Sequence, residues 1–329
     1  MDYLNLGRSG LKVSRACLGT MNFGGPGQPP FCDETEARRT IDAFLEAGGN
    51  FIDTADVYTA GNAEEIVGRA IKDRRDSVVL ATKAAGVTGP GPNDSGLSRS
   101  HLTRALEASL RRLGTNYVDL YQMHRADPAT PWDETMDVLA GFVRAGKVRY
   151  LGASNLTGSQ IVEAQWAAAR VGGVPLTSLQ PRYSLISREI EADVLPAAIR
   201  QGLGTLTYGV LAGGVLSGKY RRGEAPGGDT RYGGPMGLGG GGGWAAGAEH
   251  ALRDRNLDIA EAVSEVADEL GATPSSVATA WCLSRRGVTS VIVGPRTAEQ
   301  LADYLPGFEL TLPDEALKRL SEASKPVTP

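Results

Sequence analysis

Eight short apolar, β-branched runs constrain this chain more than any other feature. They lie at 16–20, 51–53, 78–82, 117–123, 148–153, 177–180, 204–207 and 290–293. Six of the seven intervals between them suit one strand, one helix and two loops. Amphipathic helical patterns fill the gaps, at 35–47, 64–72, 98–112, 133–145, 159–171, 189–201, 257–270 and 274–285. Their ends carry signals: Asp33 with Glu36 and Thr157 with Gln160 read as capping boxes, Gly48-Gly49 stops the first helix, and Thr273 precedes Pro274. Runs that are apolar throughout and alternate with helices imply a parallel sheet covered on both faces. Eight of them predict an α/β fold, a (β/α)8 TIM barrel in one domain over 1–329, with a doubly wound sheet as the alternative. Ahead of the first unit, 3–6 and 11–14 flank Gly7-Arg8-Ser9-Gly10, which predicts an N-terminal β-hairpin across the barrel floor.

The long seventh interval holds the one compositional oddity. Of 43 glycines in 329 residues, 12 fall within 223–247, including the unbroken run 239–243. Glycine loses the most backbone entropy on ordering, so this stretch is expected to form a long mobile Gly-rich loop between strands 7 and 8, without helix or strand. Tyr232 and Trp244 are its candidate anchors, and a lid and a plain insertion both fit.

A net charge of −4 gives no electrostatic reason to expect nucleic acid or an anionic membrane. No run of 18 apolar residues occurs, and the start Met1-Asp2-Tyr3-Leu4-Asn5 lacks a signal-peptide pattern, so a cytoplasmic protein is expected. Cys17, Cys32 and Cys282 are odd in number and far apart, and only His101, His124 and His250 join them. No metal site is predicted. Gly237-x-Gly239-x-x-Gly242 arises from polyglycine rather than from a strand-to-helix turn. Gly213…Gly218-Lys219 has Walker spacing, but Tyr220 stands where Ser or Thr would hold magnesium.

In such a barrel the chemistry lies at the C-terminal strand ends. Those ends here read Asp53 with Tyr58 close behind, Lys83, His124, Ser154-Asn155, Gln180 and Tyr208. Polar residues after apolar runs often just begin loops. A carboxylate, an ammonium, an imidazole and a phenol on one rim suit carbonyl reduction instead. A phenol is a weak acid at pH 7, and a neighbouring ammonium at Lys83 would lower the pKa of Tyr58. Asp53 would keep Lys83 charged, and His124 would orient the carbonyl oxygen where charge develops. Ser154, Asn155 and Gln180 suit a carboxamide, and Tyr208 a flat heterocycle.

The chain resembles an aldo-keto reductase along nearly its whole length. The resemblance rests on Gly19-Thr20-Met21-Asn22-Phe23-Gly24, Phe51-Ile52-Asp53-Thr54-Ala55-Asp56-Val57-Tyr58, Val79-Leu80-Ala81-Thr82-Lys83 and Tyr117-Val118-Asp119-Leu120-Tyr121-Gln122-Met123-His124-Arg125. Gly146-Lys147-Val148-Arg149-Tyr150-Leu151-Gly152-Ala153-Ser154-Asn155 and Leu216-Ser217-Gly218-Lys219-Tyr220 complete it. It implies NADP, with NADPH preferred, and a small-molecule carbonyl substrate. It assigns Tyr58 as proton donor, Lys83 and Asp53 as its tuning pair and His124 as carbonyl orienter. Thr20 and Met21 would lie by the nicotinamide ribose, and Ser154, Asn155 and Gln180 would hold the carboxamide under Tyr208. Gly209, Val210, Leu211, Gly213 and Lys219 would line the pyrophosphate, with Arg231 as a clamp. Gly294, Arg296 and Gln300 would meet the 2′-phosphate end. Tyr304 stands where the family usually has an adenine-contacting asparagine, so stacking would have to replace that contact. Phe23, Arg125 and the loop on to Trp132 are candidate substrate walls beside Tyr58 and His124.

Three functions are open at this point. One is an NADPH-dependent carbonyl reductase, and the second a reductase of a keto-deoxysugar or other secondary metabolite. The third is an NADP(H)-binding regulatory subunit, since channel-associated relatives share the fold but alter the position matching His124.

Overall fold

A computed structural model of the chain describes residues 1–25, 31–233 and 243–326. It opens with the predicted hairpin, in which β1 (Tyr3–Asn5) pairs antiparallel with β2 (Lys12–Ser14). Eight parallel strands follow: β3 (Ala16–Gly19), β4 (Phe51–Asp53), β5 (Val79–Ala84), β6 (Val118–Met123), β7 (Val148–Ser154), β8 (Leu176–Gln180), β9 (Gly204–Thr207) and β10 (Val288–Val293). Each pairs with the next, and β10 returns to β3, so the sheet closes. This is the expected (β/α)8 barrel.

The surrounding helices are α1 (Glu34–Glu46), α2 (Asn62–Ile71), α3 (Arg99–Leu113), α4 (Trp132–Arg144), α5 (Gly158–Arg170) and α6 (Val194–Gln201). After them come α7 (Gly243–Ala251), α8 (Asp254–Leu270), α9 (Pro274–Leu283), α10 (Ala298–Tyr304) and α11 (Asp314–Ala323). The starts follow the local chemistry. Asp33 accepts from the Glu36 amide at α1, Thr157 and Gln160 close a reciprocal box at α5, and Thr273 caps α9 with Pro274 at its first position.

Strand alternation sorts the core into two bodies. Cys17, Phe51, Val79, Leu120 and Leu206 point into the barrel, while Leu18, Ile52, Leu80 and Leu151 point out against the helices. The hairpin adds Leu6 and Val13, both fully buried, to the inner body and so seals the floor. Gly7 makes this approach possible. Its φ is +58°, and a Cβ there would lie 2.6 Å from the Gly202 and Thr177 carbonyl oxygens. The same period of two carries Asp53, Lys83 and Gln122 inward in the top layer, above that apolar filling.

Two sequence expectations need correction. The helix predicted over 189–201 is broken into a 3-10 turn, Glu189–Glu191, and α6. Pro196 has no N–H to give the Ala192 carbonyl and its ring crowds that group, so no helix can run through. The Gly-rich stretch does hold helix at its end: α7 begins at Gly243, and Ala245, Ala246, Ala248 and Ala251 outweigh Gly247 there. Most of the polyglycine, 234–242, lies outside the described residues, as does the Trp244 side chain. Tyr232 does anchor its end of the segment. Its ring packs on Tyr220 at 5.5 Å between centroids, and its hydroxyl donates to the Ala212 carbonyl at 3.3 Å.

All three cysteines are free and buried. Among the described residues no helix is long and apolar enough to cross a membrane.

Candidate active site

The register sets the centre of the barrel mouth. Asp53 ends β4 opposite Ala81, and Lys83 lies two residues further up β5, opposite Gln122 of β6. Lys83 is fully buried and donates to the Asp53 carboxylate at 2.5 Å, to the Thr54 carbonyl at 2.8 Å and to the Tyr58 hydroxyl at 3.1 Å. Tyr58 arrives on a one-turn 3-10 segment, Tyr58–Gly61, in which Thr59 and Ala60 take left-handed φ of 45° and 56°. Such strain persists only where the surroundings enforce it. Here the Thr59 hydroxyl donates to the Phe23 carbonyl at 2.8 Å and accepts from the Ala63 amide at 3.0 Å.

The electrostatics of this trio follow from burial and neighbours. Burial alone would depress the Lys83 ammonium, but Asp53 and Tyr58 push its pKa above the usual lysine value. Burial raises the Tyr58 phenol, and the charge of Lys83 pulls the other way without cancelling it. The lowering by Lys83 expected from the sequence is present, and burial outweighs it. His124 stands edge-on to Tyr58 at 5.9 Å between ring centroids. Burial, Lys83 and Arg125 together push its pKa down to about 4, so the imidazole is neutral at pH 7.

Amides surround this centre. Both Gln122 and Gln180 donate side-chain N–H to the second oxygen of Asp53, each at 2.9 Å. Ser154 donates to the Gln180 carbonyl at 2.7 Å. Asn155, at a left-handed φ of 56°, donates to the His124 carbonyl at 3.1 Å and to Ser154 Oγ at 3.0 Å, and its Oδ1 accepts from the Tyr208 hydroxyl at 2.9 Å.

A cleft of about 1000 Å³ opens above Asp53, Tyr58 and His124. The residues predicted to hold a cofactor all line it, Asp53 among them, from Thr20 and Met21 through Ser154, Asn155, Gln180 and Tyr208 to Gly294, Arg296 and Gln300. At its far end Lys219, Arg231 and Arg296 converge. Burial lowers the Lys219 ammonium, and the charges of Arg296 and Arg231 lower it further. Three like charges held together in this way are relieved by a polyanion. Arg296 also donates to the Asp229 carbonyl at 3.1 Å, and Arg231 to Asn22 Oδ1 at 3.4 Å, which ties the segment after β9 across the barrel mouth. The Arg296 amide donates to the Gln300 side chain at 2.9 Å, the turn that opens α10.

Comparison with known proteins bears directly on this arrangement. Residues 15–325 match the profile of the Aldo/keto reductase family. The chain belongs to this family. It is 41% identical to "Uncharacterized oxidoreductase YrpG" of Bacillus subtilis (strain 168), over 98% of this chain and 95% of the relative. It is 38% identical to "Probable voltage-gated potassium channel subunit beta" of Arabidopsis thaliana, over 94% of this chain and 92% of the relative. The protein of that name from Oryza sativa subsp. japonica matches equally well.

Within this aldo/keto reductase framework, several residues sit elsewhere than the sequence suggested. Phe23 is not a pocket wall: its ring is fully buried in the mantle and only its carbonyl serves the site, through Thr59. Arg125 is exposed and does not line the cleft, because the chain turns outward after β6, and it reaches the centre only through its charge on His124. Trp132 packs at the start of α4 and donates to Glu163 at 3.0 Å.

Sequence reading missed other residues. Gln122 lay inside a strand run, where its shared inward phase with Leu120 was the available signal. Asp56 is another. It is buried and faces away from the cleft, into a second cavity of about 410 Å³ also lined by His101, Arg104 and Arg112. Neither of its carboxylate oxygens has a partner among the described residues. Burial, then Glu64, pushes its pKa up to about 7. Arg182, two residues beyond β8, lines the main cleft.

Proposed function

We propose that this protein is an NADPH-dependent oxidoreductase that reduces an aldehyde or ketone carbonyl to the alcohol, with Tyr58 as general acid. One observation carries the reading. The Tyr58 hydroxyl lies 3.1 Å from a buried ammonium that Asp53 keeps charged, at the floor of an open cleft.

NADPH would supply the hydride. The donor set fits such a cofactor: a tyrosine and amide group at the inner end, and Lys219, Arg231 and Arg296 at the outer end for its phosphates. The protein's own residues handle the proton. Burial keeps Tyr58 protonated at neutral pH, so an O–H stands ready to donate to the substrate oxygen. As the proton leaves, the phenolate forms beside Lys83 Nζ, whose charge is most valuable at that moment. Asp53 aims Lys83, and Gln122 and Gln180 aim Asp53. Neutral His124 donates a ring N–H to the same substrate oxygen and does not compete as an acid.

Tyr58→Phe tests this. Turnover of a simple aldehyde should fall by about 10²–10⁴-fold, while NADPH binding, followed by fluorescence quenching, stays near the unmodified value. Retained turnover would remove Tyr58 from the role.

The likeness to plant proteins named as channel beta subunits supports a second reading, a cofactor-binding subunit with little catalysis. Binding of NADPH without turnover across a panel of aldehydes, diketones and quinones would favour it. The presence of His124 beside Tyr58, Lys83 and Asp53 favours catalysis.

A further inference from the structure

The cleft is lined by more residues than those expected to hold a cofactor. The further lining includes Ile186, Ser187 and Glu189 after β8 together with residues of α7 and Arg253, a group we call the lobe. Arg182 lines the same cleft as Tyr58 and His124. Backbone pairing continues beyond Gln180: the Tyr208 amide donates to the Pro181 carbonyl at 3.1 Å, and the Tyr183 amide to the Tyr208 carbonyl at 3.0 Å. Arg182 is thereby bridged in register with Tyr208 and lifted just above the rim. Its stem runs past Gly209, where its Cγ would lie 3.5 Å from a Cβ.

The guanidinium is exposed and makes no hydrogen bond or ion pair among the described residues. Arg253 donates through Nε to Asn256 Oδ1 at 3.3 Å and makes no ion pair among the described residues. Glu189 is the one acid in this group among the described residues, where it forms no ion pair with Arg182 or Arg253. Among the described residues, then, neither guanidinium group is paired with a carboxylate. Guanidinium is the side chain best matched to a carboxylate or a phosphate.

We infer that Arg182 selects carbonyl substrates carrying an anionic group, a carboxylate or a phosphate, and seats that group in the lobe while the carbonyl meets Tyr58 and His124. The inference rests on the reductase reading above. Arg182 is here a specificity-determining residue: it touches substrate away from the reacting bond and takes no part in proton transfer. The same guanidinium could instead serve the cofactor pyrophosphate, because Gly209 beside it belongs to the predicted pyrophosphate loop. The two anions call for separate measurements.

Paired substrates of one shape separate them. KM and kcat are measured for 4-carboxybenzaldehyde and for neutral 4-nitrobenzaldehyde, with unmodified protein and with Arg182→Met. NADP+ affinity is read by fluorescence quenching for both proteins. The expected result is a rise in KM for the carboxylate of at least about tenfold, with the neutral aldehyde and NADP+ affinity within about twofold. Arg182→Lys should recover part of the loss, since it keeps the charge without the fork. Weaker NADP+ binding with an unchanged ratio between the aldehydes would overturn the inference and give Arg182 to the cofactor. No change in either quantity would overturn it as well. If neither aldehyde turns over even with unmodified protein, the reductase reading fails separately. The inference is then decided by calorimetric binding of 4-carboxybenzyl alcohol and 4-nitrobenzyl alcohol to NADP+-loaded protein. Loss of only the carboxylate's binding in Arg182→Met supports it, and equal binding by both proteins overturns it.

Discussion

Asp53 ends β4 and Asp56 follows three residues later on the way to α2, and both are buried, at 2% and 3% exposure. Asp53 points into the main cleft and receives Lys83, Gln122 and Gln180. Asp56 lines the second cavity and receives no side chain among the described residues. Of the charges around it Glu64 acts most strongly and repels it, Arg112 pulls the other way, and Glu64 is itself held by Arg112 and Thr82. Depth in the protein is the same for both, and partners differ. A buried carboxylate with an ammonium and two amides serves as a fixed charge, whereas one without them holds its proton up to about pH 7.

The contrast fails if the two aspartates respond alike to amidation. Asp53→Asn leaves the Lys83 ammonium buried without its counter-charge and should cost about 3–5 kcal/mol in chemical denaturation. A cost under about 1 kcal/mol would show that Asp53 is not what keeps Lys83 in place. Asp56→Asn should act with the opposite sign. The folded state binds this proton more tightly than the unfolded chain, so folding stability falls as pH rises from about 4 to about 7 and the full penalty holds above that. The asparagine variant should be more stable than the unmodified protein at pH 8 by on the order of 2–4 kcal/mol, and should lose that advantage near pH 4. Equal denaturation midpoints at both pH values would mean that Asp56 finds partners as Asp53 does.

The smallest effect concerns His124, whose pKa is pushed down to about 4. Its ring resonances in NMR should not titrate between pH 5 and 8. The stability held by this neutral ring should drain away as pH falls from about 6.5 to about 4. Arg125→Ala should move that titration upward while changing stability by less than about 0.5 kcal/mol, since Arg125 is exposed and its charge is one of the three causes. A His124 titration near pH 6.5 in the unmodified protein would show that the barrel mouth is wetter than its burial implies.

How much of this was legible in the sequence follows from what each residue answers to. Barrel strands are buried on both faces, so runs such as 148–153 and 290–293 declare themselves by composition alone, and seven of the eight helical patterns lie between them where expected. Asp53, Lys83, His124 and Gln180 were legible because each interrupts or ends such a run. Gln122 was not, because an inward polar residue in mid-strand looks like a tolerated exception until its neighbours are known. The directions of Phe23, Asp56 and Arg182 depend on turns set by distant contacts, such as Thr59 bonding to the Phe23 carbonyl and Arg182 pairing with Tyr208. No local pattern records these.

The cysteines, minor in the fold, have a practical consequence. Cys17, Cys32 and Cys282 are all buried, and burial raises each thiol, Cys32 to about 12, so almost no thiolate exists at neutral pH. The native chain should therefore ignore maleimides and mild peroxide. A single cysteine introduced on the exposed rim, at Met21 for example, would be the one handle a fluorophore could take, and would report directly on what enters the cleft.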